Sequence, residues 1–507
     1  MKNKLTIDQL KHYLQKQYDL ICFEDLADYH GQHGSIFDLF KKCYQTEFAS
    51  TQKLVLFSSH ALSQQFLNHM QYAAKKIDIS NFFILIVNPF ELTVLLDQAN
   101  KLHGNDLQPI QCLQLNISDS KLLPVEGFVV HRDTICPLPF TSVNINSSNQ
   151  ARPCCKFKQS AGSIQQTTLK EIFDSEYYKK IRQQLSSGQQ ISECQACWDV
   201  EKHNSTSLRQ HALTKFGDGF DQQWYDQPTL IDITMAPSNL CNFACRICNH
   251  NASSKIAAEE YVYSTNSEQK KVFQYYLKLQ NNNIDQHIID NVIGAMADTE
   301  FLHIMGGEPF LWPRLPTFLD AIIDQGCAQN ISLEFNTNAS IFPSDLLQRF
   351  QKFKSVEILL SIDDIGERFE IQRGGKWNEI VANLKLFNNI QTLAITVKVI
   401  PTVNVQNVLY LDHLMNFLSQ FNFDVVWWYL EYPTYLNIDN TTNNVKTLVH
   451  EKYHNHAQSE LQSIAQRMLT SAPVSGQEFL QYINKLDSRR KQNFEFAHKE
   501  IFDAMSS

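Results

Sequence analysis

Apolar and polar positions alternate along the chain with two different periods, and the switch between them marks the elements. Lys53 to Phe57 (KLVLF) and Phe82 to Val87 (FFILIV) are short continuous apolar runs, which predict buried strands, with a helical stretch from Leu62 to Lys75 between them. Residues 1–125 therefore read as an N-terminal α/β domain. Residues 126–205 hold one predicted helix, Leu169 to Leu185, stopping near Gly188. Ser205 to Gln227 reads as a connector. From Thr229 to Leu436 strand and helix signals alternate, with strands predicted at Leu230–Thr234, Phe301–Met305, Ile331–Phe335, Val356–Ile362, Ile395–Ile400 and Val425–Leu430. Between them, Leu315, Phe318, Leu319, Ile322 and Ile323 share one helix face that ends before Gly326, and Trp377, Ile380, Val381 and Leu384 share another. Strands separated by helices in this way predict a parallel α/β sheet, closed or partly closed, over residues 225–440. Functional residues of such sheets collect at the carboxyl ends of the strands. Residues 441–507 read as a polar helical segment, and no internal repeat is visible.

Composition adds boundaries to this picture. With 507 residues, 43% hydrophobic and 19% charged, the chain has the balance of a folded protein of roughly three domains. The net charge of −9 gives no global attraction to phosphate backbones or acidic membranes, so nucleic acid is not an expected partner. No apolar run approaches the ~20 residues that span a bilayer, and Met1 to Leu10 lacks a signal-peptide core, so a cytoplasmic location is expected.

The twelve cysteines change the picture most, because clustered thiols in a reducing compartment point to metal or redox chemistry. Cys241, Cys245 and Cys248 form CxxxCxxC just after the first strand of the alternating region. Composition alone would produce such a triplet roughly 0.007 times. Three thiolates so spaced can ligate three irons of a 4Fe–4S cluster and leave the fourth open; a zinc site borrowing His250 is the alternative. A second group holds Cys136, Cys154, Cys155 and the CxxC of Cys194 and Cys197. Four thiolates from it fit an iron–sulfur cluster or a zinc ion equally by spacing. Cys22, Cys43, Cys112 and Cys327 stand alone and read as small buried hydrophobes. His450-Glu451-Lys452-Tyr453-His454 matches the HExxH of zinc proteases, but in a polar segment it reads as a solvated helix face.

The triplet, its place after a first strand and the downstream Gly306-Gly307-Glu308-Pro309 resemble the radical S-adenosylmethionine (SAM) superfamily. The resemblance implies a partial (β/α)6 barrel with a SAM-binding 4Fe–4S cluster on Cys241, Cys245 and Cys248. There SAM would be cleaved reductively to a 5′-deoxyadenosyl radical that abstracts hydrogen from a substrate. It implies that Gly306, Gly307 and Glu308 meet the methionyl amino group and that Asn336 and Asn338 form a polar strand end near the ligand. Ser361 and Asp363 would contact the ribose, Arg373 would meet the SAM carboxylate, and Lys398 to Asn407 would carry the adenine-contacting backbone. Ile247 stands where the superfamily often has an aromatic residue.

The second group resembles the twitch half of a SPASM-type auxiliary module, with Cys136, Cys154, Cys194 and Cys197 as ligands of a second 4Fe–4S cluster and Cys155 pointing elsewhere. Asn149 takes the turn slot usually held by glycine, which its tolerance of left-handed backbone permits. Placed ahead of the barrel, the module is similar to that of N-terminal twitch-domain radical SAM proteins, as are Ser361 to Leu384 and Trp427 to Leu436. The resemblance implies a flavodoxin- or ferredoxin-type electron donor and a peptide or protein substrate. A small metabolite as substrate, or a non-enzymatic zinc- or cluster-stabilised interaction protein, are the alternatives.

Overall fold

The computed structural model describes residues 54–58, 82–86, 113–116, 121–124, 134–202, 207–216, 227–279, 286–392 and 394–506. The chain divides into two units, residues 1–136 with 185–190 and 210–221, and residues 137–184 with 191–209 and 222–507. In the first unit, β1 (Leu54–Ser58) pairs in parallel with β2 (Phe82–Ile86), close to the two strands expected there. A second pair, β3 (Leu113–Asn116) with β4 (Lys121–Pro124), is antiparallel and was not anticipated. The helix expected at Leu62 to Lys75 lies outside the described residues.

A nine-stranded sheet organises the second unit. It begins with β5 (Ser142–Ile145), β6 (Gln150–Arg152) and β7 (Gly162–Ser163) of the cysteine-rich segment, joined by antiparallel pairing. It continues with β8 (Asp232–Met235), β9 (Phe301–Ile304), β10 (Ser332–Thr337), β11 (Ser355–Leu360) and β12 (Ile395–Val399). A short pair, β13 (Thr402–Val403) and β15 (Trp428–Tyr429), stands apart from this sheet, whereas β14 (Asp424–Val425) forms its far edge. Across the sheet the order is β14-β12-β11-β10-β9-β8-β5-β6-β7, and every pairing from β14 to β5 is parallel. Each strand from β8 onward therefore joins beside its predecessor, which is the topology that alternating strand and helix signals dictate. The hairpin of the cysteine-rich segment is not a separate layer, because Ser142 to Ile145 pair directly with Asp232 to Met235.

One face of the sheet carries Ile233, Leu302, Ile304, Leu333, Phe335, Val356, Ile358, Val397 and Val399, all buried. Against it pack Leu315, Phe318, Leu319 and Ile322 of the helix Leu315–Asp324, and Ile380, Leu384 and Phe387 of the helix Trp377–Asn389. Each fully buried side chain of this size contributes roughly 1.5–3 kcal/mol. The other face presents the half-buried polar residues Thr234, His303, Glu334, Asn336, Glu357 and Lys398, as a period of two requires.

Two expected elements are divided in the structure. The single strand expected at Val425–Leu430 is split between β14 and β15. Pro401, between β12 and β13, has no N–H for a ladder, and its carbonyl instead accepts from Trp428 N at 3.1 Å. The single helix expected at Leu169–Leu185 is two, Leu169–Phe173 and Glu176–Ser186. The first is closed by a capping box on Thr168 and Glu171, and Arg182 binds its terminal carbonyl at Phe173 at 2.8 Å. The C-terminal segment, expected to be polar, buries Val445, Val449, Tyr453, Leu461, Ile464, Met468, Phe479, Ile483, Phe494 and Ile501 in a second core shared with Ile371, Val403, Val405 and Val408. Among the described residues no helix is long and apolar enough to cross a membrane.

Phe335 lies at the centre of the sheet, fully buried, 5.2 Å from the Phe310 ring and 5.5 Å from Phe350. Phe335→Ala is expected to lower the unfolding free energy by about 3–5 kcal/mol in denaturant titration. The exposed Lys385→Ala should change it by less than about 0.5 kcal/mol.

Candidate functional site

The chain leaves β8 at Met235 and runs without regular structure to Ser253, carrying Cys241, Cys245 and Cys248 on the way. Backbone without a ladder needs other partners for its polar groups, and here they come from fixed neighbours. Cys241 N donates to Ser254 Oγ at 3.2 Å, Ser253 Oγ donates to Phe243 O at 2.7 Å, and Arg246 N donates to Gln372 O at 2.7 Å. Glu308 N donates to Leu240 O at 2.8 Å, which requires the end of β9 to lie against the cysteine loop. Gly306 and Gly307 make that approach possible. Both have positive φ (83° and 50°), and a Cβ would stand 2.4 Å from Ala236 Cβ at Gly306 and 2.3 Å from Leu240 O at Gly307.

The three thiols are mutual electrostatic neighbours. Burial pushes Cys241 up to about 11, with the Cys245 sulfur adding to it. Burial and the two other thiols push Cys248 up to about 12. Cys245 is raised by burial, with Arg373 pulling the other way. Thiols held like this stay protonated unless positive charge is supplied to all three at once, and a bound metal centre supplies it. Phe243 N, 3.4 Å from Cys241 Sγ, is a backbone donor already placed for a thiolate. Three thiols with a backbone donor beside them are the ligand chemistry an iron–sulfur cluster takes, while among the described residues no group of three or more ligating side chains already stands at metal-holding distance.

The remaining expected residues gather at the carboxyl ends of β9 to β11. Glu308 is buried, with Thr337 Oγ1 (2.7 Å) and Phe310 N (3.3 Å) donating to one oxygen and Asn338 N (2.8 Å) to the other. Burial outweighs these bonds and lifts its carboxyl to about 7. Glu308 thus braces the end of β9 to the end of β10, a role that nothing but the motif itself signals in the sequence. Asn338 Nδ2 donates to Asn242 Oδ1 at 2.9 Å and lies 3.8 Å from Cys241 Sγ. Asn336, one pleat lower on the same face, is paired with His303 Nε2 at 2.8 Å. Ser361 is half-buried at the exit of β11, its N–H bonded to Thr337 O at 2.9 Å.

Asp363 and Arg373 form a buried ion pair. The other Asp363 oxygen accepts from Thr402 N at 2.8 Å, and the Asp363 carbonyl accepts from Asn407 Nδ2 at 3.0 Å. Arg373 ends the helix Gly366–Arg373, which Gly374 closes in the left-handed conformation (φ 80°). Asp363, Cys245 and Cys248 hold the guanidinium well above its usual range despite its burial. Its Nε is buried without a hydrogen-bond partner among the described residues, so one donor stays available. The structure therefore brings Cys241, Cys245, Cys248, Glu308, Asn338, Asp363 and Arg373 into one neighbourhood. Sequence reasoning missed Thr337, His303 and Asn407, although the first two lie on strands whose alternation was legible.

In the cysteine-rich segment Asn149 has φ 59°, the left-handed backbone expected of it. It closes the β5–β6 turn, where Asn146 Oδ1 accepts from Ser148 N and Gln150 N. Burial and Cys155 push Cys154 up to about 12, with Cys197 adding; burial and Cys197 push Cys194 up to about 12. Cys154, Cys194 and Cys197 are thus linked electrostatically through Cys197. Cys136 is buried and belongs to the first unit. Cys155 is exposed, with Lys156, Arg152 and Glu431 as its charged neighbours. His450 sits on the helix Asn443–Tyr453 and His454 caps its C-terminus; the helix buries Val445, Val449 and Tyr453, and Glu451 and His454 are exposed.

Two family models match parts of the chain that contain these cysteine groups. Residues 235–418 match the radical SAM superfamily, and residues 136–198 match the iron–sulfur cluster-binding domain SPASM. No curated protein matches the chain. Among solved structures, Streptococcus suis SuiB bound to precursor peptide SuiA shares 14% identity over 50% of this chain and 44% of its own, with TM-score 0.27. Native anSMEcpe with bound AdoMet and Cp18Cys peptide shares 12% over 48% and 63%, with TM-score 0.30. TYW1 with a lysine–pyruvate adduct bound shares 12% over 45% and 72%, with TM-score 0.25. The chain thus spans less than two thirds of the length of the first two. Residues 235–418, which hold the cysteine loop and the parallel strands after it, thus match the radical SAM superfamily, and the segment ahead of them matches the SPASM iron–sulfur cluster-binding domain.

Proposed function

We propose that the parallel sheet β8 to β14 is a partial (β/α)6 barrel in which Cys241, Cys245 and Cys248 hold the SAM-binding cluster, while Cys136, Cys154, Cys194 and Cys197 hold the auxiliary one. The observation that carries this reading is the convergence of the buried Cys241 and Cys245 and the half-buried Cys248 with the Asp363–Arg373 pair and the Glu308 brace at the strand ends. Bound there, a 4Fe–4S cluster with one open iron supplies the reductive cleavage of SAM to a 5′-deoxyadenosyl radical.

The chain's own residues bind and orient. Arg373, fixed by Asp363, offers its unpaired Nε to the SAM carboxylate. Glu308 has about four acceptor positions and uses three on Thr337, Phe310 and Asn338, which leaves one for the methionyl ammonium. Gly306 and Gly307 set the loop against β9 so that this carboxylate stands beside Cys241. Asn336, Asn338 and Ser361 line the same edge and offer hydrogen bonds to the nucleoside. Held by Cys136, Cys154, Cys194 and Cys197, an auxiliary cluster would supply an acceptor for an electron from the substrate radical or a point at which substrate is oriented, and hydrogen would be abstracted from an unactivated C–H bond. A peptide or protein side chain is the substrate class we infer, by analogy with SPASM and twitch enzymes. A flavodoxin- or ferredoxin-type protein is the electron donor this chemistry calls for.

Anaerobic purification with iron, sulfide and zinc analysis is expected to give about eight irons per chain and a reduced EPR spectrum that SAM perturbs. About four irons with one zinc would make the auxiliary module structural, and zinc alone would remove the radical reading. Replacing Cys241, Cys245 and Cys248 together by Ala should drop the iron to about four per chain and abolish reductive SAM cleavage. Arg373→Lys keeps the charge but loses the fork, and calorimetry should show Kd for SAM rising at least about tenfold; an unchanged Kd would take Arg373 out of the SAM site. Incubation with candidate precursor peptides should raise 5′-deoxyadenosine formation above that seen with a panel of small metabolites; the reverse order would reassign the substrate.

A further inference from the structure

The loop between the cysteines is held by a part of the chain far from it in sequence and beyond the superfamily match, which ends at residue 418. Arg246, between Cys245 and Cys248, has a fully buried side chain. Its guanidinium is paired with Asp487 at the end of the helix Gln477–Arg490, and it also donates to Gln492 Oε1 at 2.9 Å and to Ile371 O at 3.2 Å. The Phe494 ring lies 5.4 Å from the guanidinium carbon. The second Asp487 oxygen accepts from Phe494 N at 2.7 Å, so one carboxylate ties Arg246 to the turn that follows the helix. That turn is made by Lys491 in left-handed conformation (φ 53°), which folds Gln492 and Phe494 back over Arg246.

Two further bonds reach the loop's backbone. Tyr482 Oη donates to Arg246 O, and Arg490 Nη1 donates to Ala244 O at 2.7 Å. Arg490 is itself held by Glu259, on the helix that follows the cysteine loop, at 2.7 Å. The carbonyls on both sides of Cys245 are thus fixed by the same C-terminal helix. In an irregular loop those carbonyls have no ladder partner, and their orientation decides where the Cys245 sulfur stands.

We propose that residues 477–494 form a clasp on the cysteine loop, with Tyr482, Asp487 and Arg490 as positioning residues for the metal centre. The inference rests on the assignment of Cys241, Cys245 and Cys248 as its ligands. Groups that orient ligands in this way typically change metal affinity 10–100-fold when removed. The auxiliary cysteines Cys154, Cys194 and Cys197 make none of these contacts, so the second cluster is an internal control.

The test uses the full chain with both clusters reconstituted, as wild type, Tyr482→Phe and Asp487→Asn. A strong iron chelator is added anaerobically, and each cluster's EPR signal is followed in time, the SAM-perturbed signal identifying the barrel cluster. The clasp predicts that the barrel cluster of each variant decays at least about tenfold faster while the auxiliary signal decays at the wild-type rate. Wild-type decay of the barrel signal in both variants overturns it. Equal acceleration of both signals also overturns it, because that is general loosening. Tyr482→Phe removes a single hydroxyl and carries the test if Asp487→Asn does not fold. A wild-type protein with no SAM-perturbed signal overturns the ligand assignment and the clasp together, which separates that failure from a failure of the clasp alone.

Discussion

The arrangement depends on keeping one guanidinium, Arg373, buried and charged beside three thiols. A buried cation without a partner would cost several kcal/mol, and Asp363 supplies the partner. Asp363 is fixed in turn by Thr402 N and, through its carbonyl, by Asn407, so the pair joins the exits of β11 and β12. Arg373 reaches it from the end of a helix whose preceding turn binds Arg246 N through Gln372 O. One ion pair thus ties the cysteine loop, two strand ends and a helix terminus together. Arg373 opposes the burial that raises Cys245, while Asp363 adds to that rise.

Around that pair the site is braced from two directions. From the sheet, Glu308 holds the ends of β9 and β10 in register while the two glycines let the loop close on them. From outside the sheet, the C-terminal helix binds the loop's carbonyls and its buried arginine. The auxiliary module is coupled to the same frame by the pairing of β5 with β8 and by the Lys156–Glu431 ion pair, which joins the Cys154-Cys155 turn to the segment after β15. The strand that leads into the cysteine loop is therefore flanked by β9 on one side and by the auxiliary module's first strand on the other.

Much of this was legible without coordinates. Periodicity located the strands from β8 to β12 to within a few residues, because each is an apolar alternation of ordinary length bounded by turn residues. The two cysteine groups and the Gly306-Gly307-Glu308 segment were recognisable because metal chemistry and close backbone approach tolerate few residue types. The break between β14 and β15 was less legible. Pro401 is visible in the sequence, but the strand it interrupts lies about 25 residues further on, and only pairing connects them. The C-terminal core was missed because its apolar positions are spread over several short helices in an otherwise polar stretch, although the helix Ser459–Thr470 carries Leu461, Ile464, Ala465 and Met468 at the spacing of one face.

The sequence by itself determined the local chemistry: where the thiols cluster, which glycines are required, and that strands and helices alternate into a parallel sheet. These depend on residue type and on spacing within a few positions, which the chain carries locally. The tertiary structure decided which groups meet. Arg246 with Asp487, Ala244 with Arg490 and β5 with β8 are contacts between residues roughly 90 to 250 positions apart, set by packing geometry that no local pattern encodes. It also decided that Glu308, read from its motif as a ligand-binding carboxylate, spends most of its hydrogen-bonding capacity on its own fold, because burial forces a carboxylate to find donors wherever the neighbouring strand ends provide them.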